Sequence, residues 1–177
     1  LNVTGTQATA VEETFTNDWN AATGNKMGTT VQAGDLVWSP DAADSMTNLI
    51  NGATKSVWFS SEELKDTRIV NALANAAKRG VQCEVLLTAS SSWESSESEV
   101  KDAGCTVKNY KNDSTSPYIH EKQIDVDGSK VLLGSQNASK TSLDSNRELG
   151  LTNTQSNIGN AVDSKYSSLF SGGTAFN

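Results

Sequence analysis

The sequence predicts an α/β protein in which a mixed, largely parallel sheet is flanked by helices. Short segments rich in Val, Leu, Trp and Phe alternate with longer segments whose apolar residues recur every three or four positions. This alternation of strands with amphipathic helices is typical of an α/β sandwich, parallel at least in its first half. The 177 residues are enough for a domain with a substantial core.

The first half of the chain is predicted to contain three helices and four strands. Val11, Phe15 and Trp19 recur at four-residue steps and predict a helix, while Asp41 and Asp66 stand where helix N-caps are expected. The predicted helices are 8–22, 41–50 and 66–78. The predicted strands are the end of one at 1–3, then 35–40, 56–60 and 81–87.

The second half is predicted to hold the remaining strands and two helices. A polar segment at 88–98 indicates a loop that runs into a short helix ending near Gly104, and Val107 marks the next strand. Three further strands are expected at 119–126, 130–134 and 147–152, followed by a helix through Phe170. The strand aromatics are assigned to the core; they are Trp38, Trp58 and Phe59.

Charge and composition limit the classes of function that the protein can have. The net charge is −7, and the basic residues are scattered, so strong non-specific binding to nucleic acid is not predicted. No apolar run approaches the ~20 residues of a membrane span. Few lysines, abundant Ser, Thr and Asn, and glycosylation sequons at Asn2 and Asn112 favour a secreted protein.

The two cysteines lie in strands predicted to be neighbours. Parallel pairing would bring Cys83 and Cys105 within bonding reach, but two buried free thiols fit the sequence almost as well. Both alternatives remain open at this level.

The candidate catalytic residues are concentrated in region 118–151. The pattern is H-x-K-x4-D-x6-G-S-x-N, followed by a glutamate. Its members are His120, Lys122, Asp127, Ser135, Asn137 and Glu148.

These residue types suit the hydrolysis of an anionic ester. An imidazole can attack phosphorus or protonate a leaving oxygen near neutral pH. On a strand, Lys122 would project from the same face as His120 and neutralise the same phosphate oxygens. Hydroxyl and amide groups such as Ser135 and Asn137 are neutral donors to an oxyanion, and a carboxylate such as Glu148 could orient the imidazole.

The pattern resembles the HKD motif of the phospholipase D superfamily, including the continuation N-R-E-L-G-L at 146–151. The resemblance implies hydrolysis or transfer of phosphodiester bonds through a phosphohistidine, with no cofactor and no obligatory metal. It implies His120 as nucleophile or general acid and Lys122 and Asn137 as phosphate ligands. Ser135 would be a further polar wall of the pocket, and Glu148 the partner of His120.

Asp127 belongs to the motif and so counts among its catalytic candidates. However, Asp127-Gly128 is a sequence typical of a hairpin turn. We therefore expect Asp127 to have a structural role rather than a catalytic one.

The superfamily pairs two histidines, whereas this chain contains one. The resemblance therefore implies a partner: an N-terminal HKD half of the same precursor, or a second copy in a homodimer. In a two-motif protein the first motif usually supplies the nucleophile, which would make His120 the general acid and base.

A weak internal repeat favours the two-motif version. Val11, Phe15 and Trp19 align with Val162, Tyr166 and Phe170, although any two amphipathic helices can be aligned in this way. Residues 1–34 would then be the strand-helix tail of a preceding half plus a linker, and 35–177 the catalytic domain. The first residue, Leu1, is not methionine, which agrees with this expectation.

The acidic chain favours a phospholipid substrate over nucleic acid, with only transient contact with a membrane surface. Two alternatives remain. One is an endonuclease of the same superfamily that acts as a homodimer. The other is a non-catalytic, regulatory half that binds and closes another half's site.

Overall fold

The computed structural model describes residue 3 and residues 5–177; the strand expected at 1–3 falls mostly outside this range. The helices are α1 (Thr6–Ala22), α2 (Ala42–Asn51), α3 (Thr67–Lys78), α4 (Glu94–Asp102), α5 (Lys140–Asp144) and α6 (Ser156–Gly172). The strands are β1 (Leu36–Ser39), β2 (Ser56–Ser60), β3 (Gln82–Thr88), β4 (Thr106–Tyr110), β5 (Gln123–Val126), β6 (Lys130–Gly134), β7 (Glu148–Asn153) and β8 (Thr174–Ala175).

All eight strands form one mixed sheet, in the order β1-β7-β6-β5-β2-β3-β4-β8. The parallel pairs, β2 with β3 and β3 with β4, come from the first half of the chain, where helices connect the strands. The other five neighbouring pairs are antiparallel. The predicted α/β class with a mixed sheet is confirmed, but the sheet is largely antiparallel rather than largely parallel. This is because β5 and β6 follow one another without the helical crossover that a parallel pair requires, and β7 pairs antiparallel with β6.

The main core lies between the sheet and helices α2 to α5. Alternate strand residues point to this face, so Val57 and Phe59 of β2 are buried there while Trp58 between them points to the opposite face. Phe59 is therefore a core residue as predicted. Trp38 and Trp58 are only half-buried and pack in two smaller clusters on the other face.

Helices α1 and α6 cover the second face. Tyr166 of α6 is fully buried and stacks on Trp58 with ring centroids 5.4 Å apart. Ala10 of α1 packs on Leu36 and its neighbours, but Phe15 and Trp19 are 66% and 71% exposed. Part of the apolar face of α1 is thus largely exposed among the described residues.

Two helix starts differ in how they are capped. The Asp66 carboxylate accepts from the Arg68 amide at 2.9 Å, as its N-cap position predicts. The Asp41 side chain makes no such cap, because Asp41 has a left-handed backbone (φ 81°) and its amide donates to the carbonyl of Leu143. Helix α5 and strand β8 were not predicted, since five and two residues are too few for a periodic pattern.

The strand predicted at 119–126 begins only at Gln123, so the placement of His120 and Lys122 on a strand was wrong. Strand β2 pairs with β5 and ends at Ser60, opposite Gln123. Beyond Ser60 the chain turns into a loop and no longer offers a partner for residues 119–122. These residues are extended but unpaired with β2, and the space beside them becomes the candidate site.

Cys83 and Cys105 form a disulfide bond. They lie next to the parallel pair Glu84 and Thr106 in the β3-β4 ladder, which places them side by side. The strands are neighbours as predicted, and the free-thiol alternative is excluded for this structure. Among the helices of the described residues, none is long and apolar enough to cross a bilayer.

Candidate functional site

Four side chains converge on the carboxylate of Glu62. Nε2 of His120 and Nζ of Lys122 each lie 3.0 Å from Oε2 of Glu62, and Nδ2 of Asn137 donates to the same oxygen at 3.1 Å. The hydroxyl of Tyr118 donates to Oε1 at 2.9 Å. We call Tyr118, His120, Lys122 and Asn137 the donor cluster. Its members surround the side-chain carboxylate of Glu62.

The extended segment before β5 supplies three members of the donor cluster. Its position is held on both sides: the Ile119 amide donates to Oγ1 of Thr88 at 2.8 Å, and the Lys122 carbonyl accepts from the Gly134 amide at 3.2 Å. Lys122 Nζ also donates to the His120 carbonyl at 2.7 Å. The ammonium and the imidazole are therefore close although they do not share a strand face.

Asn137 is positioned by a hydrogen-bonded chain that ends at Glu148. The backbone amide of Asn137 donates to Oγ of Ser142 at 2.8 Å, and that hydroxyl donates to Oε1 of Glu148 at 3.0 Å. Nδ2 of Asn146 donates to the same carboxylate oxygen at 3.1 Å. Glu148 thus supports the loop that carries Asn137.

Glu148 is not the carboxylate that contacts His120 in this chain, so the predicted pairing was wrong within one copy. Strand β6 separates β7, which begins at Glu148, from β5, which follows His120. The Glu148 carboxylate accepts instead from Ser142 and Asn146. The carboxylate beside His120 is that of Glu62.

The loop that carries Glu62 is tied to the loop that carries Asn137. The carbonyl of Ala138 accepts from the amides of Lys65 and Asp66 at 2.7 and 2.8 Å, and the Ala138 amide donates to Oγ of Ser61 at 3.3 Å. The end of β2 and the segment after β6 are therefore held together, and the donor cluster is assembled from both.

Two glycines of the motif region make room for a buried glutamine. Gln136 is 1% exposed, and its side-chain amide nitrogen donates to the Val37 carbonyl at 2.8 Å. A Cβ on Gly134 would collide with Oε1 of Gln136 and lie 2.7 Å from Cα of Gly150. The Gly-Ser-x-Asn pattern thus lets the chain pass close to β7 before it presents Asn137.

The electrostatics of the donor cluster favour an anion. Burial opposes the charge on Glu62, but hydrogen bonds from Lys122, Asn137 and Tyr118 outweigh it and lower the pKa of that carboxyl to about 2. The hydrogen bond to Glu62 in turn raises the pKa of Tyr118. Lys122 is only 8% exposed, whereas the side chain of His120 is 67% exposed. One face of the imidazole is therefore open to solvent.

The remaining predicted site residues lie outside the donor cluster. Ser135 is exposed, and its hydroxyl oxygen accepts from the Leu149 amide at 3.1 Å, so the structure does not show it as a wall of the site. Asp127 accepts from the amides of Thr54, Lys55 and Ser56 at distances of 2.7 to 3.1 Å.

Asp127 therefore holds the start of β2, while the donor cluster lies beyond its end. Five strand residues at ~3.3 Å each separate the two places by roughly 16 Å. Burial opposes its charge, but the bonds to Ser56, Thr54 and Lys55 lower the pKa of Asp127 to about 2. The structural role predicted for Asp127 is confirmed, and its place among the catalytic candidates is not supported.

Sequence reasoning missed Glu62 and Tyr118. Glu62 follows β2 directly, and polar residues at the carboxyl ends of parallel strands commonly line sites in α/β proteins. The position of Glu62 directly after a predicted strand was the signal from which the sequence could have identified it.

Within residues 3 and 5–177, no group of three or more His, Cys, Asp or Glu side chains is arranged to hold a metal ion. Independence from metal stays a prediction.

Several solved structures share this fold. Nuc from Salmonella typhimurium, described as a phospholipase D family member, has a TM-score of 0.73 and 19% identity, with 80% of this chain and 96% of that chain covered. NucT from Helicobacter pylori has a TM-score of 0.66 and 21% identity, covering 80% and 97%. Polyphosphate kinase from Porphyromonas gingivalis has a TM-score of 0.63 and 15% identity, covering 76% of this chain and 25% of that chain.

No curated protein matches the sequence. A family model does: the family described as "Cardiolipin synthase, PLD-like domain" matches residues 46–170, which include the donor cluster, Glu62 and Glu148. With most of the chain matched and the fold of Nuc reproduced, the protein belongs to the phospholipase D superfamily.

Proposed function

We propose that the chain is one half of a phosphodiesterase of the phospholipase D type, which works with a second HKD half. The observation that carries the proposal is the convergence of His120, Lys122 and Asn137 on one anionic group. The carboxylate of Glu62 occupies the place where two non-bridging oxygens of a phosphodiester would be bound. An ammonium and an amide in contact with the same oxygens can stabilise the charge that develops in the transition state.

In the proposed reaction a ring nitrogen of one histidine attacks phosphorus, and the bond from phosphorus to the leaving oxygen breaks. The second histidine donates a proton to that oxygen. Water, deprotonated by the second histidine, then attacks the phosphohistidine and releases a phosphomonoester. We assign the acid and base role to His120, while Lys122 and Asn137 hold the non-bridging oxygens throughout.

The need for a second half rests on His120. The chain has one histidine, and a single imidazole cannot hold the phosphoryl group and protonate the leaving oxygen in one step. The side chain of His120 is 67% exposed and could face a second histidine across a cleft. The fold match covers 96% and 97% of the Nuc and NucT chains, so members of this fold can be single-domain chains, and a homodimer is the alternative to an upstream half.

For the substrate we favour a phospholipid, because the chain carries a net charge of −7 and two of the cations near the donor cluster are paired with carboxylates. Lys65 pairs with Glu63 at 2.9 Å, and Arg68 pairs with Asp66 and Asp144 at 2.6 and 2.8 Å. Such pairs leave little free positive charge to follow a nucleic-acid backbone. The likeness to Nuc and NucT supports the nuclease of the same superfamily at least as well.

A panel of substrates tests the proposal. The purified chain, alone and mixed with its upstream half, would be assayed on bis-p-nitrophenyl phosphate, phosphatidylcholine vesicles and single- and double-stranded DNA. Turnover of the generic diester that is lost in His120→Ala is expected, with a higher rate on vesicles than on DNA. A higher rate on DNA would select the nuclease. No turnover in any mixture would favour the non-catalytic half.

We also propose export of the protein to an oxidising compartment. The disulfide between Cys83 and Cys105 supports it, since structural disulfides persist mainly outside reducing cytosol. The exposed sequon at Asn112 is compatible with the same environment.

A further inference from the structure

Glu62 satisfies every member of the donor cluster. Its Oε2 lies within 3.1 Å of His120, Lys122 and Asn137, and its Oε1 accepts from Tyr118. A phosphodiester bound at the same place would need those contacts, so substrate and carboxylate exclude each other. Glu62 is itself an anion held by the hydrogen bonds that the proposed reaction would use.

We propose that Glu62 is a specificity-determining residue: an internal competitor for the phosphate site that admits a singly charged phosphodiester and rejects doubly charged phosphomonoesters. The inference rests on the proposed function, because it takes the donor cluster to be the phosphate site. It assigns Glu62 a role that neither the HKD pattern nor its chemistry requires.

Glu62 would weaken ligand binding in two ways, by competing for the donor cluster and by repelling the bound ligand. Only the repulsion depends on the charge of the ligand. Displacing the carboxylate from the donor cluster costs the same for any ligand that takes its place. Once displaced, the carboxylate remains nearby and repels the ligand in proportion to the ligand's charge. A dianion is therefore penalised twice as strongly as a monoanion.

This difference has a direct use in the reaction. Hydrolysis converts a diester with one negative charge into a monoester that carries close to two at neutral pH. Glu62 would return to the donor cluster as the monoester leaves. The same carboxylate would thus speed product release and limit inhibition by phosphate.

The loop allows Glu62 to move without disturbing the fold. Its side chain is 24% exposed and lies between β2 and α3, outside any helix or strand. The backbone is anchored further on, where the amides of Lys65 and Asp66 donate to Ala138. All of its contacts with the donor cluster are made by the carboxylate, so the proposal requires rotation of the side chain and no movement of the backbone.

Glu63 provides a matched control. It is the neighbouring carboxylate, similarly exposed at 27%, and it pairs with Lys65 rather than with the donor cluster. Glu63→Gln removes the same formal charge one residue away but leaves Glu62 in place. Glu62→Gln keeps the side-chain shape without the charge, and Glu62→Ala removes the competitor altogether.

The test measures the dissociation constants of methyl phosphate and dimethyl phosphate at pH 8 for the full chain and the three variants. At this pH methyl phosphate is a dianion, because its second pKa is about 6, and dimethyl phosphate is a monoanion. His120 is the chain's only histidine, so its imidazole resonances in NMR report binding without ambiguity. A thermal melt of each variant verifies folding.

In Glu62→Gln and Glu62→Ala we expect tighter binding of both ligands, with an additional gain for methyl phosphate on the order of tenfold. Glu63→Gln should change the ratio of the two constants much less. Equal gains for both ligands, or no gain in folded Glu62 variants, would overturn the role of Glu62 while leaving the phosphate site intact. Failure of both ligands to bind any form would overturn the phosphate site as well.

Discussion

His120 and Lys122 are two residues apart and contact the same oxygen of Glu62, each at 3.0 Å. Their environments differ sharply, since Lys122 is 8% exposed and His120 is 67% exposed. A buried ammonium suits a ligand that holds the anion in place. An imidazole with one open face suits a group that exchanges protons with a substrate or a partner. This difference in exposure supports the division of roles that we propose within the motif.

His120→Ala should abolish turnover and leave the fold unchanged. General acid-base catalysis by one side chain contributes ~10²–10⁴ in rate, and loss of an essential imidazole removes at least that much. The exposed side chain adds little to stability, so the melting temperature should stay within about 1 °C of the wild type. Asn112→Ala, at another exposed position before the motif, is the control. Near-normal activity of folded His120→Ala would refute the proposed mechanism.

At the scale of the elements, strands of the sheet approach each other closely in two places. Strand β6 passes β7 at Gly134 and Gly150, with Gln136 filling the space between them. Strands β3 and β4 are joined by the Cys83–Cys105 disulfide. The first approach positions Asn137, and the second stabilises the parallel part of the sheet.

Gly134→Ala should destabilise the protein by a few kcal/mol. The new methyl group would collide with Gln136 and press on the backbone of β7, and neither neighbour can withdraw without breaking buried contacts. Chemical denaturation of the variant measures the loss. Gly24→Ala is the matched control, because its Cβ would meet only a carbonyl oxygen at 3.5 Å. Equal stability of both variants would show that the β6-β7 contact is not tight.

The double variant Cys83→Ala/Cys105→Ala should lose about 3 kcal/mol of unfolding free energy. The bond closes a loop with a sequence separation of 22, and loop closure of that length restricts the unfolded chain by about this amount. Titration of the wild type under denaturing, non-reducing conditions should find no free thiol. Two free thiols would show that the bond does not form in solution.

At the scale of the molecule, two features of the described residues are largely exposed to solvent. His120 faces solvent, and Phe15 and Trp19 of α1 expose most of their apolar surface, with ring centroids 6.2 Å apart. Both observations agree with a second half that completes the site and covers α1. The stability of the whole molecule also depends on carboxyls whose pKa values are shifted in opposite directions.

A strictly monomeric, isolated chain should be inactive. Activity should appear when the upstream half is added, or the isolated chain should prove to be a homodimer with two copies of His120 across one cleft. Light scattering and a diester assay at the same protein concentration would decide between the two forms. Full activity in a sample that is monomeric throughout the assay would contradict both.

Stability should be greatest near pH 4.5 to 5. Burial raises the pKa of Glu97 to about 7, and burial together with the neighbouring carboxylate of Asp163 raises the pKa of Asp125. The native state binds these protons more tightly than the unfolded chain, so unfolding free energy falls as pH rises from ~4 to 7. The carboxyls of Glu62 and Asp127, with pKa values of about 2, have the opposite effect on stability. Their contribution to the unfolding free energy is lost as pH falls below ~4.

Melting temperatures between pH 3 and pH 8 measure this profile. Glu97→Gln is the matched variant, because it keeps the shape of a side chain that is 1% exposed and removes its titration. The decline between pH 5 and pH 7 should be smaller in Glu97→Gln than in the wild type. An identical decline would show that Glu97 is not the source.

The sequence alone determined the chemistry of the motif and the kinds of elements. The HKD motif from His120 to Asn137, through its resemblance to the phospholipase D superfamily, predicted Lys122 and Asn137 as ligands of one anion, and the structure places both side chains at one oxygen of Glu62. The Asp127-Gly128 turn and the helix cap at Asp66 were predictable because each depends on residues within a few positions. Strand β2 was predicted with its observed bounds, since an apolar run between turn residues is a local signal.

Only the tertiary structure decided which carboxylate meets His120. Glu62 reaches it because β5 follows β2 in the sheet and the loops after β2 and β6 are tied through Ala138. Glu148, two strands away, supports Asn137 instead. The start of β5 and the pairing of Cys83 with Cys105 were likewise set by neighbouring strands. Such contacts join residues distant in the chain, and their geometry depends on the order and register of the strands, which local periodicity does not encode.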